Sequence, residues 1–274
     1  MALPINFHKT FIPERRLLSS LLCYAAEGKS GDYQSIAADT GIPMGKSNGK
    51  VPAILDYARG MGLVKLTQQV KNAVKEPQLT DFGRIVFIED RLMGEKITQW
   101  LAHMHLSHPS IGAKAWYHTF SKGRRFLGKT FTANQLEKDL VATFGTGKNR
   151  TGPLIRMYID DAAFARASVL KYNSSTVIRN KAPLSDEFAL PYAAYILLLI
   201  EYHFKDELQV TTSDLNKKTG WFDSALWEDS DVERALNLIE STGYISIDRL
   251  TRPWVLHRKA EAKQVWPGIY NDLA

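Results

Sequence analysis

Apolar residues recur at helical spacing in two neighbouring segments near the N-terminus, with a polar turn between them. The segment YQSIAADTG has Asp32 as its predicted N-cap and Gly41 as its end, and VPAILDYARGMG predicts a second helix. Two further stretches, LVKLT and PQLTDFGRIVF, flank a polar, basic loop and predict a β-hairpin. With RRLLSSLLCYAAEG as a first helix, this order is typical of a winged helix-turn-helix that binds the DNA major groove.

A similar order recurs near the C-terminus. There TTSDLNKKTG predicts a helix capped by Thr212 or Ser213 and ended by Gly220, SDVERALNLIESTG predicts the next helix, and YISIDRL and RPWVLHRK predict a wing. A weaker middle copy begins at Phe131, and its Pro153 suits the first turn of a helix. The prediction is a mainly α (α+β) fold, built from winged helix-turn-helix-like modules with small antiparallel wings.

Three domains follow from this pattern. Residues 1–110 form an N-terminal winged-helix-like domain, residues 111–182 a basic middle module that binds DNA, and residues 183–274 a C-terminal winged-helix-like domain that binds a partner. Winged modules also serve as dimerisation units, and that alternative is preferred for the C-terminal copy.

Composition narrows the class of protein. The 274 residues are 45% hydrophobic and include one cysteine, which excludes an intrachain disulfide and a thiolate metal cluster. The longest apolar run, residues 188–200, contains Pro191 and is shorter than the about 20 residues of a membrane span, so a buried core helix is expected. No signal peptide is expected, and the predicted location is cytoplasmic, without a membrane partner.

Charge is distributed unevenly along the chain. Residues 114–150 contain eight basic and two acidic residues, a net +6 that equals the charge of the whole chain, whereas residues 205–240 carry −5. The middle of the chain therefore suits a phosphate backbone, and the C-terminal part suits a basic partner or a second copy of the chain. Solvated surfaces of opposite sign are the alternative. Trp221, Phe222 and Trp227 are the predicted apolar anchors of the partner surface.

Polar residues ahead of two predicted helices complete the DNA-binding prediction. GIPMGKS lacks the spacing and the preceding strand of a nucleotide-binding loop, and GTGKNR suits a backbone phosphate, with an ordinary turn as the alternative. The predicted nucleic-acid-binding residues are Lys46, Ser47, Asn48, Lys50, Lys122, Arg124, Arg125, Lys148, Asn149 and Arg150.

Other side chains have spacings that only partly suit metal binding. His103, His105 and His108 lack the four-residue spacing of helical zinc ligands and are expected in the core or at an interface. The acidic pairs Glu89-Asp90, with Glu95 nearby, and Asp160-Asp161 are candidate ligands of a hard cation. For Asp90 the alternative is a helix cap, and for Asp160-Asp161 it is a solvated helix turn.

Several segments together resemble a known family. FHKTF, LTDFGRIVF, IED…TQWLAHMHL, WYHTF with FTANQL downstream, and FGTGKN occur here in the order found in the bacterial domain family of formerly unknown function encoded beside DNA phosphorothioation genes. Where that family has aspartate, proline, an aromatic residue, leucine and two acids, this chain has DRLMGE, which retains Asp90 and Glu95.

The resemblance implies a DNA-acting component of a phosphorothioation modification and defence system. Family members in Ssp-type clusters are regarded as DNA nickases that use Mg²⁺, which implies Asp90 and Glu95 as metal ligands in this chain. Implied partners are DNA, a PAPS-reductase-like sulfurtransferase and other phosphorothioation proteins, with a homodimer through the C-terminal module as a further possibility. A non-catalytic DNA-binding adaptor for the sulfurtransferase machinery and a winged-helix transcriptional regulator are the alternatives.

Overall fold

The chain forms two compact units, Met1–Asn180 and Lys181–Ala274, hereafter unit 1 and unit 2. The computed structural model describes residues 2–44, 49–67, 73–147, 150–205 and 207–273. The predicted N-terminal and middle segments lie in unit 1 up to Asn180, and the C-terminal segment lies in unit 2. Their division into three domains stays a prediction.

Unit 1 combines nine helices with five short strands among the described residues. Its helices are α1 (Arg15–Ala26), α2 (Tyr33–Thr40), α3 (Lys50–Gly60), α4 (Asp81–Glu89), α5 (Lys96–Leu106), α6 (Lys114–Tyr117), α7 (Arg124–Leu127), α8 (Ala133–Phe144) and α9 (Thr151–Arg156). Its strands are β1 (Val64–Thr67), β2 (Glu76–Leu79), β3 (Thr130–Thr132), β4 (Leu170–Asn173) and β5 (Thr176–Arg179). A π-helical turn, His118–Lys122, joins α6 to the segment that precedes α7.

Unit 2 is smaller and has the same mixture of elements. Its described helices are α10 (Ala189–Phe204), α11 (Thr212–Thr219), α12 (Trp221–Ser224), α13 (Asp229–Ser241) and α14 (Ala262–Val265). Its strands are β6 (Gln209–Thr211), β7 (Ile245–Asp248) and β8 (Val255–Arg258). The fold is therefore mainly helical with small antiparallel sheets, which confirms the predicted α+β class.

One chain topology occurs three times. In each occurrence a strand or bridge is followed by helices and then by a hairpin, and the first strand pairs with the last one. The sheets have the orders β3-β5-β4 and β6-β8-β7, and near the N-terminus Gly31 pairs with Lys75 just ahead of β2, which pairs with β1. All of these pairings are antiparallel.

Local capping signals define several helix ends. The Asp32 side chain accepts a hydrogen bond from the Ser35 amide at 2.8 Å, and Gly41 ends α2 with φ +69°, as predicted. In unit 2 the predicted cap is wrong by one residue. Thr211, at the end of β6, accepts the Asp214 amide at 3.0 Å, because its extended backbone points its hydroxyl at the first turn of α11.

Helix α5 is the centre of unit 1. Every residue from Ile97 to Leu106 is buried, so the helix has no solvent-facing side. The predicted core position of the three histidines is confirmed. His103 Nδ1 lies 2.7 Å from the Tyr158 hydroxyl, the His105 ring stacks on Phe82, and His108 Nδ1 accepts two main-chain amides.

The core of unit 2 forms around α10 and an aromatic cluster. The predicted buried helix for residues 188–200 is confirmed, since α10 is buried along most of its length. The predicted interface role of Trp221, Phe222 and Trp227 is wrong, because these side chains are 1%, 7% and 2% exposed. They pack edge-on or tilted against one another and against Tyr192, and the Trp227 indole donates to the Ala182 carbonyl at 3.2 Å. These aromatic side chains lie beside the hydrophobic helix α10, and they form part of the core of unit 2.

None of the helices in the described part of the chain combines the length and apolar character that a membrane span requires.

Two buried histidines make stability depend on pH. Burial lowers the pKa of His105 to about 3 and that of His8 to about 4, whereas an unfolded histidine titrates near 6.5. The unfolded state therefore binds the extra protons as the pH falls below 6.5. At pH 5.5 each histidine should lower the free energy of unfolding by about 1.4 kcal/mol relative to neutral pH.

Urea denaturation at pH 7.5, 6.5 and 5.5 measures this effect. The substitution His8→Gln removes one of the two titrating groups and should reduce the fall between pH 7.5 and 5.5 by about 1.4 kcal/mol. An equal fall in the wild type and in His8→Gln would contradict the assignment of His8 as a buried neutral histidine.

Candidate nucleic-acid interface

A short cationic segment of unit 1 is the exposed part of the predicted DNA surface. Residues 122–129, here called the arginine turn, contain four basic residues and no acidic one. Lys122, Arg125 and Lys129 are exposed, and Arg124 is half-buried. The Lys122 ammonium lies 5.7 Å from the centre of the Tyr117 ring, which supports the side chain while its charge faces solvent.

Two glycines give the arginine turn its shape. A side chain at Gly123 would place its Cβ 2.7 Å from the His118 carbonyl oxygen, and Gly128 has φ +65°, a conformation that other residues rarely adopt. Between them, Leu127 is buried and fixes the turn to the core. The turn therefore presents Arg125 and its neighbours on a defined backbone.

A histidine–carboxylate pair connects the preceding π-helical turn to α8. His118 Nε2 lies 2.6 Å from Asp139 Oδ2, and the Phe144 ring packs edge-on against the imidazole. Sequence reasoning missed this pair because 21 residues separate its members, and no local spacing indicates the contact. The pair fixes the base of the arginine turn against α8.

Arg150 supports the glycine loop from the inside. It is 5% exposed, and its guanidinium donates to the carbonyls of Gly145, at 2.5 Å, and Thr146, at 3.0 Å. A Cβ at Gly147 would lie 2.1 Å from this guanidinium, so a side chain there would displace Arg150 from the loop carbonyls. Arg150 is thus occupied by the loop in the free protein, and its predicted DNA contact stays a prediction.

The predicted recognition residues of the N-terminal module are placed only in part. Lys46, Ser47 and Asn48, together with Lys148 and Asn149 of the glycine loop, lie outside the described residues. Lys50 begins α3, and its ammonium lies 2.8 Å from Glu14 Oε1 and 5.7 Å from the Phe11 ring. Most of α3 is buried, so few of its side chains face solvent.

Asp90 closes the N-terminal end of the central helix α5. Its Oδ1 accepts the Gly94 amide at 2.7 Å, and its Oδ2 accepts the Glu95 amide at 2.9 Å and the Thr98 hydroxyl at 2.6 Å. The Glu95 amide is one of the main-chain groups that the start of a helix leaves without a partner, and the other two bonds hold the residue before it and the first turn of α5. The geometry is that of the capping alternative, with both oxygens used.

Glu95 is placed differently from Asp90. Its half-buried side chain lies 3.7 Å from the Arg166 guanidinium, a loose ion pair. In the described residues no three His, Cys, Asp or Glu side chains gather closely enough to hold a metal ion. Asp160 Oδ1 accepts the Ala162 amide at 3.0 Å. The predicted alternative of a solvated helix turn for Asp160-Asp161 is wrong, because α9 ends at Arg156 and the pair lies in the turn that follows it.

Mg²⁺ is usually held in proteins by one or two carboxylates together with substrate phosphates and water. The Glu95 side chain makes no capping hydrogen bond in the described part of the chain. Its carboxylate therefore fits that role. Asp90 fits a positioning role, because it holds the main chain of the loop from which Glu95 projects.

Comparison with known proteins identifies the fold. No protein-family model and no curated protein sequence matches the chain. Two crystal structures do match: SspB, with 16% identity and a TM-score of 0.69, and magnesium ion-bound SspB, with 14% identity and a TM-score of 0.68. In both cases the match covers 98% of this chain and 87% of the other. The protein is therefore similar in fold to SspB over almost its whole length.

Proposed function

We propose that this protein is a DNA-binding component of a bacterial phosphorothioation modification and defence system, and that it nicks DNA with Mg²⁺. The observation that carries the proposal is the likeness in fold to SspB across 98% of the chain. The resemblance of the segment order to the phosphorothioation-associated family supports it independently. In this proposal the protein acts in the cytoplasm, and the nick gives a PAPS-reductase-like sulfurtransferase access to the sugar-phosphate backbone.

The repeated chain topology supports an assignment of the three occurrences as winged helix-turn-helix-like modules. A sheet in which the first strand pairs with the last, with helices between them, suits that assignment. Their surfaces differ in charge. The middle module includes the arginine turn, whereas α13 begins with the acidic residues Asp229 and Asp231. We therefore assign DNA contact to unit 1, and a basic partner or a second copy of the chain to unit 2.

Within unit 1 we assign DNA contacts to basic residues according to how exposed their side chains are. Lys122, Arg124 and Arg125 contact backbone phosphates directly, because their charges lie at or near the surface. Lys50 and Arg150 are engaged in the free protein by Glu14 and by loop carbonyls, so DNA must compete for them. Lys46, Ser47, Asn48, Lys148 and Asn149 complete the proposed contact set.

Two observations support Mg²⁺ as the metal in this proposal: the magnesium ion-bound SspB structure and the family resemblance. The ion would neutralise charge on the scissile phosphate. Glu95 is the carboxylate that we assign to hold it, and Asp90 positions the loop. A non-catalytic adaptor is the second candidate function, and the capping geometry of Asp90 favours it, since that carboxylate has a sufficient structural role.

The salt dependence of DNA binding tests the arginine turn. Each phosphate contact that is lost should reduce the slope of log affinity against log salt by about 0.9. Replacing Lys122, Arg124 and Arg125 together by Gln should therefore flatten the slope by about 2.7 in a fluorescence anisotropy titration with duplex DNA.

The matched control replaces three basic residues of unit 2, Lys217, Lys218 and Arg234, which are also exposed. This control should leave the slope unchanged. Equal flattening in both triple variants would mean that binding follows net charge alone, and would argue against a site at the arginine turn.

Plasmid nicking tests the enzymatic part of the proposal. Supercoiled plasmid should relax when wild-type protein and Mg²⁺ are added, and EDTA should stop the reaction. Glu95→Gln should lose nicking with an unchanged melting temperature, because its only described ion pair is the loose one with Arg166. The neighbouring exposed carboxylate gives the control, and Glu89→Gln should retain full activity.

Asp90→Asn tests the structural role of Asp90. An amide accepts hydrogen bonds through one atom only, whereas Asp90 accepts through both oxygens. We expect a loss of about 1 to 2 kcal/mol in the free energy of unfolding.

Absence of nicking by pure wild-type protein at every Mg²⁺ or Mn²⁺ concentration, with DNA binding intact, would favour the adaptor. Binding to a single promoter site would favour the transcriptional regulator.

A further inference from the structure

An aromatic side chain stands out from the centre of the arginine turn. Phe126 is 82% exposed, although the next residue, Leu127, is buried. It lies directly after Arg124 and Arg125, and Lys122 and Lys129 flank the same turn. Hydrophobic periodicity gives no reason to single out this residue.

The backbone holds Phe126 outward. The Phe126 amide donates to the Gly123 carbonyl at 3.0 Å, the Leu127 amide to the same carbonyl at 2.8 Å, and the Gly128 amide to the Arg124 carbonyl at 3.0 Å. The conformations of Gly123 and Gly128 close the turn at both ends. An aromatic side chain has two rotatable bonds, so on such a turn little conformational entropy is lost when its ring meets a flat ligand.

Charge and size indicate what the ring meets. A stable protein–protein interface buries about 800 Å² on each partner with an apolar centre, whereas here one ring is surrounded by cations. Cations beside an exposed aromatic ring match a nucleic acid, in which phosphates and the flat faces of bases alternate. In an intact duplex those faces are covered by their neighbours in the stack. They become available where a base is unstacked.

We infer that Phe126 stacks on a base that has left the helical stack, so that the arginine turn recognises locally opened DNA while its cations hold the adjacent phosphates. This inference rests on the proposed DNA function and deepens it, because it names the form of DNA that unit 1 prefers. It assigns Phe126 to base contact and leaves Lys122, Arg124 and Arg125 with the backbone.

The test uses the full chain with a short duplex that contains a one-base bulge of 2-aminopurine, and with the same duplex without the bulge. Wild-type protein should bind the bulged DNA more tightly and quench the 2-aminopurine fluorescence. Phe126→Ala should weaken binding to bulged DNA by about tenfold, abolish the quenching and leave the salt slope unchanged, because no charge is removed.

Phe126→Tyr and Phe126→Trp should keep both the affinity and the quenching, since they retain a flat ring, whereas Phe126→Leu should behave like the alanine variant. Leu250→Ala is the matched control, because Leu250 is an apolar side chain that is 91% exposed in unit 2, and it should bind as the wild type does.

The outcomes separate the inference from the function on which it rests. Tight DNA binding by the wild type, with Phe126→Ala equal to it on bulged DNA, overturns the stacking inference and leaves the DNA function standing. Equal binding by Phe126→Leu and Phe126→Tyr also overturns it, because a ring is then unnecessary. No binding to any DNA at low salt overturns both. Phe126-dependent binding to phosphatidylserine vesicles without DNA binding would identify a membrane surface instead and overturn both.

Discussion

Unit 1 depends on the burial of α5 on every side. A helix without a solvent-facing side can satisfy its polar groups only within the protein, and a buried polar group without a partner costs about 1 to 3 kcal/mol. The Gln99 side chain shows how this is done: its amide donates to the Met93 carbonyl, and its oxygen accepts the Ala167 amide, both at 2.8 Å. Asp90 does the same for the amides at the start of the helix.

This constraint explains why the side chains of unit 1 that could take part in catalysis or ligand binding have mainly structural roles. The three histidines around α5, the guanidinium of Arg150 and the carboxylate of Asp90 all have partners inside the fold. What remains for a ligand is what the core does not use. The exposed cations of the arginine turn and the Phe126 ring lie outside that network.

The three occurrences of one topology show how similar backbones acquire different surfaces. The strand orders β3-β5-β4 and β6-β8-β7 are the same, yet β3 lies in the basic segment 114–150 and β6 lies in the acidic segment 205–240. Exposed side chains determine which molecules a surface attracts, and the backbone determines only how they are presented. The exposed side chains of each unit therefore determine separately which molecules that unit attracts.

Local signals in the sequence determined much of the fold. Asp32, Gly41 and Gly220 act within a few residues of themselves, so both ends of α2 and the C-terminal end of α11 could be predicted. Hydrophobic periodicity indicated α3, α10 and the hairpins, but the segment DFGRIVF, predicted to continue the returning strand of the first hairpin, forms helix α4 instead. Charge counts located the basic segment 114–150, which contains the arginine turn. Only the tertiary structure decided which polar and aromatic groups remain available, because burial is a property of distant contacts. Trp and Arg are residue types that are common at interfaces, yet Trp221 and Arg150 lie in the interior. Phe is typical of a protein core, yet the Phe126 side chain is exposed to solvent. The physical reason is that a side chain is exposed or buried according to what the rest of the chain packs against it, and no local spacing encodes that.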